Sequence, residues 1–154
     1  MKLTNALGFV ALAACGSAGE AMVVNVEMPL AASDVKSIEI FAVRANKLAI
    51  AGQDACAKFF KDELENFTSD ASTIVSFDAA AGQTSDLRAP PGVGYVVFAR
   101  GWNVDLVATP DAPKQVRALG CVSDVKVAAN KATSFDIKMC LVEGLGSDPI
   151  CPMR

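Results

Sequence analysis

Five cysteines and no histidine define the chemistry open to this chain of 154 residues. Without histidine there is no imidazole general base, no Ser-His-Asp or Cys-His nucleophile pair, and no zinc site built on imidazole. Cys56, Cys121, Cys140 and Cys151 contain no Cys-x-x-Cys pair, so neither a thioredoxin-like redox site nor a cysteine zinc site is expected. The chain carries no Gly-x-Ser-x-Gly elbow and no Asp-x-Asp-x-Asp-Gly calcium loop. Pro90-Pro91-Gly92-Val93-Gly94 lacks the Lys-Ser/Thr pair and following helix of a phosphate loop, and reads as a turn. Acidic residues number 17 against 14 Lys and Arg. That balance argues against nucleic acid, whose binding is driven by cations displacing counterions from phosphates. No metal, cofactor or enzymatic activity is expected, and disulfide formation is left as the use for these thiols.

The N-terminus supplies the compartment. Met1-Lys2 precedes an apolar run from Ala6 to Ala14, broken only by Gly8, and then come Cys15 and Gly16-Ser17-Ala18-Gly19. A charged start followed by a short apolar core is a secretory signal. The run is about half the ~20 residues needed to span a bilayer. Leu12-Ala13-Ala14-Cys15 resembles the lipobox of bacterial lipoproteins. The resemblance implies removal of residues 1–14, acylation of Cys15, and a membrane partner reached through that N-terminal lipid. The competing reading is an ordinary signal cut near Ala18-Gly19. Lipoproteins of this kind that keep an Asp after the cysteine stay in the inner membrane. Gly16 in that place implies the outer membrane of a bacterial cell envelope.

Export puts the remaining four cysteines under oxidising conditions, where an even number reads as a disulfide framework. Three pairings exist. Between Thr133 and Val142, Phe135, Ile137, Met139 and Leu141 share one face, which turns Cys140 away from the core. The turn-rich Gly144-Leu145-Gly146-Ser147-Asp148-Pro149 stretch can return Cys151 to that outer face, which favours Cys140–Cys151. Cys121 alternates with Val125, Val127 and Ala129 and is expected to point inward, with Cys56 as its partner.

The elements that must position these residues are mostly strands. Met22, Val24, Val26 and Met28 form one apolar face ended by Pro29, and Ser37 to Arg44 is apolar on both sides, as a central strand would be. From Asp54, a candidate N-cap, Cys56, Phe59, Phe60, Leu64 and Phe67 follow helical spacing. The charges from Lys58 to Glu65 read as the solvated face of that helix, and Asn66-Phe67-Thr68 is a sequon by pattern alone. Strands are expected at Thr73–Ala79, Asp86–Ala89, Gly94–Trp102, Val104–Thr109, Gln115–Val127 and Thr133–Val142, with turns at Ala89-Pro90-Pro91-Gly92 and Thr109-Pro110-Asp111-Ala112-Pro113. Eight short strands and one helix point to an all-β sandwich, with a closed barrel as the alternative.

The stretch from Leu87 to Gly101, a strand, a Pro-Gly turn and a returning strand, resembles a unit of prealbumin-like sandwich domains, including those related to the regulatory domain of carboxypeptidases. Leu119-Gly120-Cys121, Val125 to Lys131 and Ser134 to Met139 are similar to the closing hairpin of such domains in bacterial surface lipoproteins. The resemblance implies an immunoglobulin-like sandwich that supports, spaces or binds. Gly94 and the helix near Cys56 depart from it. The organisation is then a signal at 1–14, a lipidated tether at 15–21, a β-sandwich domain at 22–143 and a disulfide-tied tail at 144–154.

One further pair could bind a ligand. Arg100 and Trp102 fall on one strand face and could offer a platform to a sugar ring or peptide, although packing of Trp102 beneath a stacked cation is the preferred reading. Asp105, Asp111 and Asp124 read as turn residues. The function expected is a non-enzymatic interaction or structural module with an envelope protein or glycan partner. The alternatives are a carbohydrate or small-ligand binder, or an inhibitor of a secreted enzyme that presents Gly144 to Pro152.

Overall fold

Apolar alternation puts Met22, Val24 and Val26 of the first strand, β1 (Glu20–Glu27), into the core. β1 opens the computed structural model, which describes residues 20–29, 34–50, 52–64, 68–78, 83–142 and 151. The signal, Cys15, Asn66-Phe67 of the sequon, residue 143, and residues 144–150 and 152–154 of the tail lie outside that set. The other elements are β2 (Ser37–Arg44), a 3-10 turn at Ala45–Lys47, α1 (Gly52–Phe60), β3 (Ala71–Ser76), β4 (Gln83–Ala89), β5 (Gly92–Trp102), β6 (Val116–Val127) and β7 (Thr133–Leu141). The described domain is all-β apart from α1 and the 3-10 turn.

The strands hydrogen-bond in the order β3-β2-β5-β6-β7-β1-β4. Every pair is antiparallel except β7 with β1. β7 divides its pairing: Thr133 to Lys138 match Met22 to Glu27 of β1, while Met139, Cys140 and Leu141 match Gly120, Leu119 and Ala118 of β6. A strand that changes partners midway turns a corner. The sheet therefore rolls over itself, end strands β3 and β4 come back into contact, and one face of all seven strands encloses a single core. This is one continuous sheet close to a barrel, where the sequence suggested two stacked sheets. Gly120 makes the corner possible. A Cβ built there would lie 2.5 Å from both Ile137 Cγ2 and Met139 Sδ, so a side chain at this crossing would force those two to shift.

The expected strand at Val104–Thr109 is a turn. The Asp105 carboxylate accepts the N–H groups of Val107 (3.0 Å) and Ala108 (3.4 Å), and the Thr109 N–H donates to the Asp105 carbonyl at 2.8 Å. Asp competes for local backbone donors in this way, which draws the chain out of a ladder. The helix also stops earlier than its spacing suggests. Asp62 has φ 55°, the Asp62 N–H donates to Phe59 O and the Glu63 N–H to Lys58 O, the two bonds of a Schellman stop.

At the end of the barrel where β1 starts, the hydroxyl of the fully buried Tyr95 ends among protein partners. It donates to Pro90 O at 2.7 Å and accepts from Arg44 Nε at 2.9 Å. The Asp70 carboxylate receives the Arg44 backbone N–H (2.8 Å) and Lys47 Nζ (2.6 Å). Burial alone would raise the Asp70 pKa, but the Lys47 and Arg44 contacts outweigh it and hold the group below its ordinary value of 3.8. A depressed carboxylate pKa contributes stability above the unfolded-state value that is lost as pH falls through the folded-state value. Asp70→Asn should thus lower the thermal midpoint at neutral pH and flatten its fall below about pH 4, as read by melting curves across pH. Gly120→Ala should cost about 1–3 kcal/mol from overpacking, measured by denaturant unfolding.

Candidate functional site

β2, β5 and β6 are apolar on the outside of the barrel as well as the inside. Phe41 and Val43 of β2, Val96 and Phe98 of β5 and Leu119 of β6 form a second cluster there with Ala55 and Phe59 of α1. The i, i+4 spacing of Ala55 and Phe59 places both on the helix face that meets the sheet, while Asp54, Ala57 and Lys58 face water. Three rings lock the contact. Phe41 stacks on Phe98 at 5.3 Å between centroids, Phe59 lies 4.7 Å from Phe98, and Phe59 meets Phe41 edge-on at 6.0 Å.

Both cystines belong to this outer layer. Cys56 of α1 is joined to Cys121 of β6 with a Cα–Cα distance of 5.6 Å, and Cys140 of β7 to Cys151 at 4.9 Å. Cys121 does not point inward as strand alternation suggested. It packs against the outer cluster, because β6 carries a bulge. Tyr95 pairs with Val125 but Val97 pairs with Val122, so three residues of β6 span two of β5, and Asp124 takes φ 59°. The extra residue exchanges the faces. Val125 and Val127 enter the core on one side of the bulge, and Ala118 and Val122 on the other, which leaves Leu119 and Cys121 outside.

α1 is short and covers only part of this face. Beyond its C-terminal end an apolar groove of about 140 Å³ opens between helix and sheet, lined by Phe59, Phe60, Asp62, Arg100, Val116, Leu119 and Val142. The half-buried Arg100 holds its guanidinium 5.1 Å from the Phe41 ring centroid and 5.4 Å from that of Phe59. Glu39 sits directly opposite on β2, yet among the described residues no ion pair holds Arg100. At these distances both rings attract the guanidinium through their π faces. The groove thus offers apolar walls, one cation at Arg100 and one carboxylate at Asp62.

Trp102 is on the same face as Arg100 but is not part of an open platform. It is 9% exposed, and Lys114 Nζ lies 5.0 Å from its ring centroid. The loop from Asn103 to Gln115 folds back on itself, with Asn103 N–H to Gln115 O at 3.1 Å and Gln115 N–H to Asn103 Oδ1 at 2.8 Å, and this brings Lys114 over the indole. Sequence reasoning found Arg100 and missed Phe60, Val116 and Val142 as walls. The signal for Phe60 was present, since adjacent Phe59 and Phe60 cannot both face the sheet from one helix. Among the described residues no group of three or more Cys, Asp or Glu is placed to hold a metal ion.

The geometry defines a small disulfide-braced β domain with a helix-capped outer face and a shallow apolar groove. No protein-family model matches the chain, and no curated protein does. Its fold is similar to that of an alternative pilotin from the type II secretion system of Vibrio cholerae, with a TM-score of 0.50 and 13% identity, covering 81% of this chain and 98% of that one.

The cystines should differ in value. Cys56–Cys121 spans 65 residues and Cys140–Cys151 spans 11, so chain entropy assigns them about 4 and about 3 kcal/mol. The larger loss is expected for the Cys56→Ser/Cys121→Ser double variant, which also frees α1. Chemical unfolding with a near-ultraviolet readout of the phenylalanine cluster tests the order.

Proposed function

We propose that this chain is a lipid-anchored lipoprotein of the bacterial cell envelope, held by acylated Cys15 and facing its partners from the outer membrane. Its β domain works without catalysis as an interaction module. The observation that carries the reading is the groove beside α1, where Phe59, Phe60, Val116, Leu119 and Val142 form apolar walls around Arg100, with Asp62 also in the lining. Exposed apolar concavities rimmed by polar groups mark binding sites on monomeric proteins. The likeness in fold to a type II secretion pilotin supports a protein partner within an envelope secretion assembly.

A second reading is a small-ligand or carbohydrate binder at the same place. It draws support from the groove volume of about 140 Å³, close to the ~150 Å³ apolar cavity that admits a single benzene ring.

Two measurements on protein made in its native cells test the proposal. Intact mass of the membrane-purified chain should match acylated Cys15 onward, and an unmodified or longer chain would refute the anchor. A photo-crosslinking residue replacing Phe60 should give a discrete protein adduct that is lost on Leu119→Glu, whereas one replacing Asp136, on the opposite polar surface, should give none. Equal adducts from both positions would sink the groove as the docking site. Saturable binding of a sugar or aromatic acid, abolished by Arg100→Ala and without protein adducts, would favour the second reading.

A further inference from the structure

We propose that the end of the barrel formed by the β4–β5 turn, the β6–β7 turn and the Ala45–Lys47 segment rests on an anionic lipid surface and sets the orientation of the domain. The inference rests on acylation of Cys15 and goes beyond it, because a tether alone does not orient what it holds. Glu20 opens β1 five residues after Cys15, and five residues reach at most about 18 Å. Glu20 pairs with Ala89, Met22 pairs with Thr133, and Arg44 pairs with Tyr95. The tether therefore emerges amid those three segments.

What they present fits a membrane surface. Pro90 and Pro91 are exposed, and Val93, at 70% exposure, is the most exposed large apolar side chain among the described residues. Lys131 projects from the neighbouring turn and Lys47 from the 3-10 segment, both exposed. Of the carboxylates at this end, Asp70 is taken up by Arg44 and by Lys47, Glu20 stands at the start of β1 beside Ala89, and Asp124 is exposed on β6, against the cations Arg44, Lys47, Arg88, Lys126 and Lys131. The opposite end, about 30 Å away along β5 at strand rise, carries Asp78, Asp105 and Asp111 with Lys36 and Lys114 among them. An apolar tip flanked by lysines near a lipid anchor is attracted to anionic headgroups and lets a few apolar groups enter the interface. Arg100 lies seven residues along β5 from Val93, so this docking holds the groove off the bilayer and open to partners.

The test uses the acylated full chain in vesicles of phosphatidylethanolamine and phosphatidylglycerol. A fluorophore is attached to Val93→Cys, to Pro91→Cys or, as the far-end reference, to Val107→Cys, whose native side chain is 58% exposed. Flotation scores the anchor separately. On floated protein, access of a water-soluble quencher should fall several-fold at both 91 and 93 and stay unchanged at 107. The protection should weaken when phosphatidylcholine replaces the anionic lipid or when Lys131→Glu is introduced. Equal access at all three positions on floated protein would overturn the docking while leaving the anchor intact. Protein that does not float at all would refute the anchor, and the docking with it.

Discussion

Strands β2 and β5 are apolar on both faces, and no sheet with one wet side can accommodate them. Left open, the outer face would expose Phe41, Val43, Val96 and Phe98, each worth about 1.5–3 kcal/mol when buried. α1 provides the cover. Nine residues are too few for a helix to persist alone in water, so α1 depends on the ring cluster and on Cys56–Cys121 for its place. Its length also sets the extent of the groove, which begins where the Schellman stop at Asp62 ends the cover and the Arg100 guanidinium takes over against the Phe41 and Phe59 rings.

The link from helix to sheet depends in turn on one irregularity. A regular β6 carrying Val125 and Val127 into the core would carry Cys121 there too, out of reach of a helix on the outside. The bulge at Ser123–Asp124 separates the two requirements, giving the same strand an inward set of odd residues after it and an inward set of even residues before it. Gly120 adds the second irregularity, letting β7 cross closely enough to leave β1 and join β6. Together they turn a run of hairpins into a rolled sheet with one core and a separate outer cluster.

Much of this was legible beforehand. Period-two patterning located the faces of β1 and β7, because those strands are regular and each has one continuous apolar side, and it marked β2 as apolar on both sides. Helical spacing located α1, though it starts at Gly52, ahead of the Asp54 expected as its N-cap, and its C-terminal limit depended on a left-handed aspartate that propensity disfavours. The cysteine pairing was inferred with the wrong orientation for Cys121, since alternation assumes no bulge and Ser123-Asp124 lacks the glycine that commonly marks one. Asp105 reads as a strand-end residue until its side chain is seen to accept two backbone donors. The groove was legible only through Arg100. Its walls come from β5, β6, the end of β7 and α1, segments brought together by a topology that local patterns do not encode.

The position of β1 between β4 and β7 bears on how the domain withstands force. A load applied through the N-terminus enters an interior strand along its own axis, held by seven residue pairs on one side and six on the other. Those bonds are loaded in shear, together, and not opened one after another as at a frayed hairpin. A pull on the chain ahead of Glu20 would then meet the mechanically strong direction of the sheet.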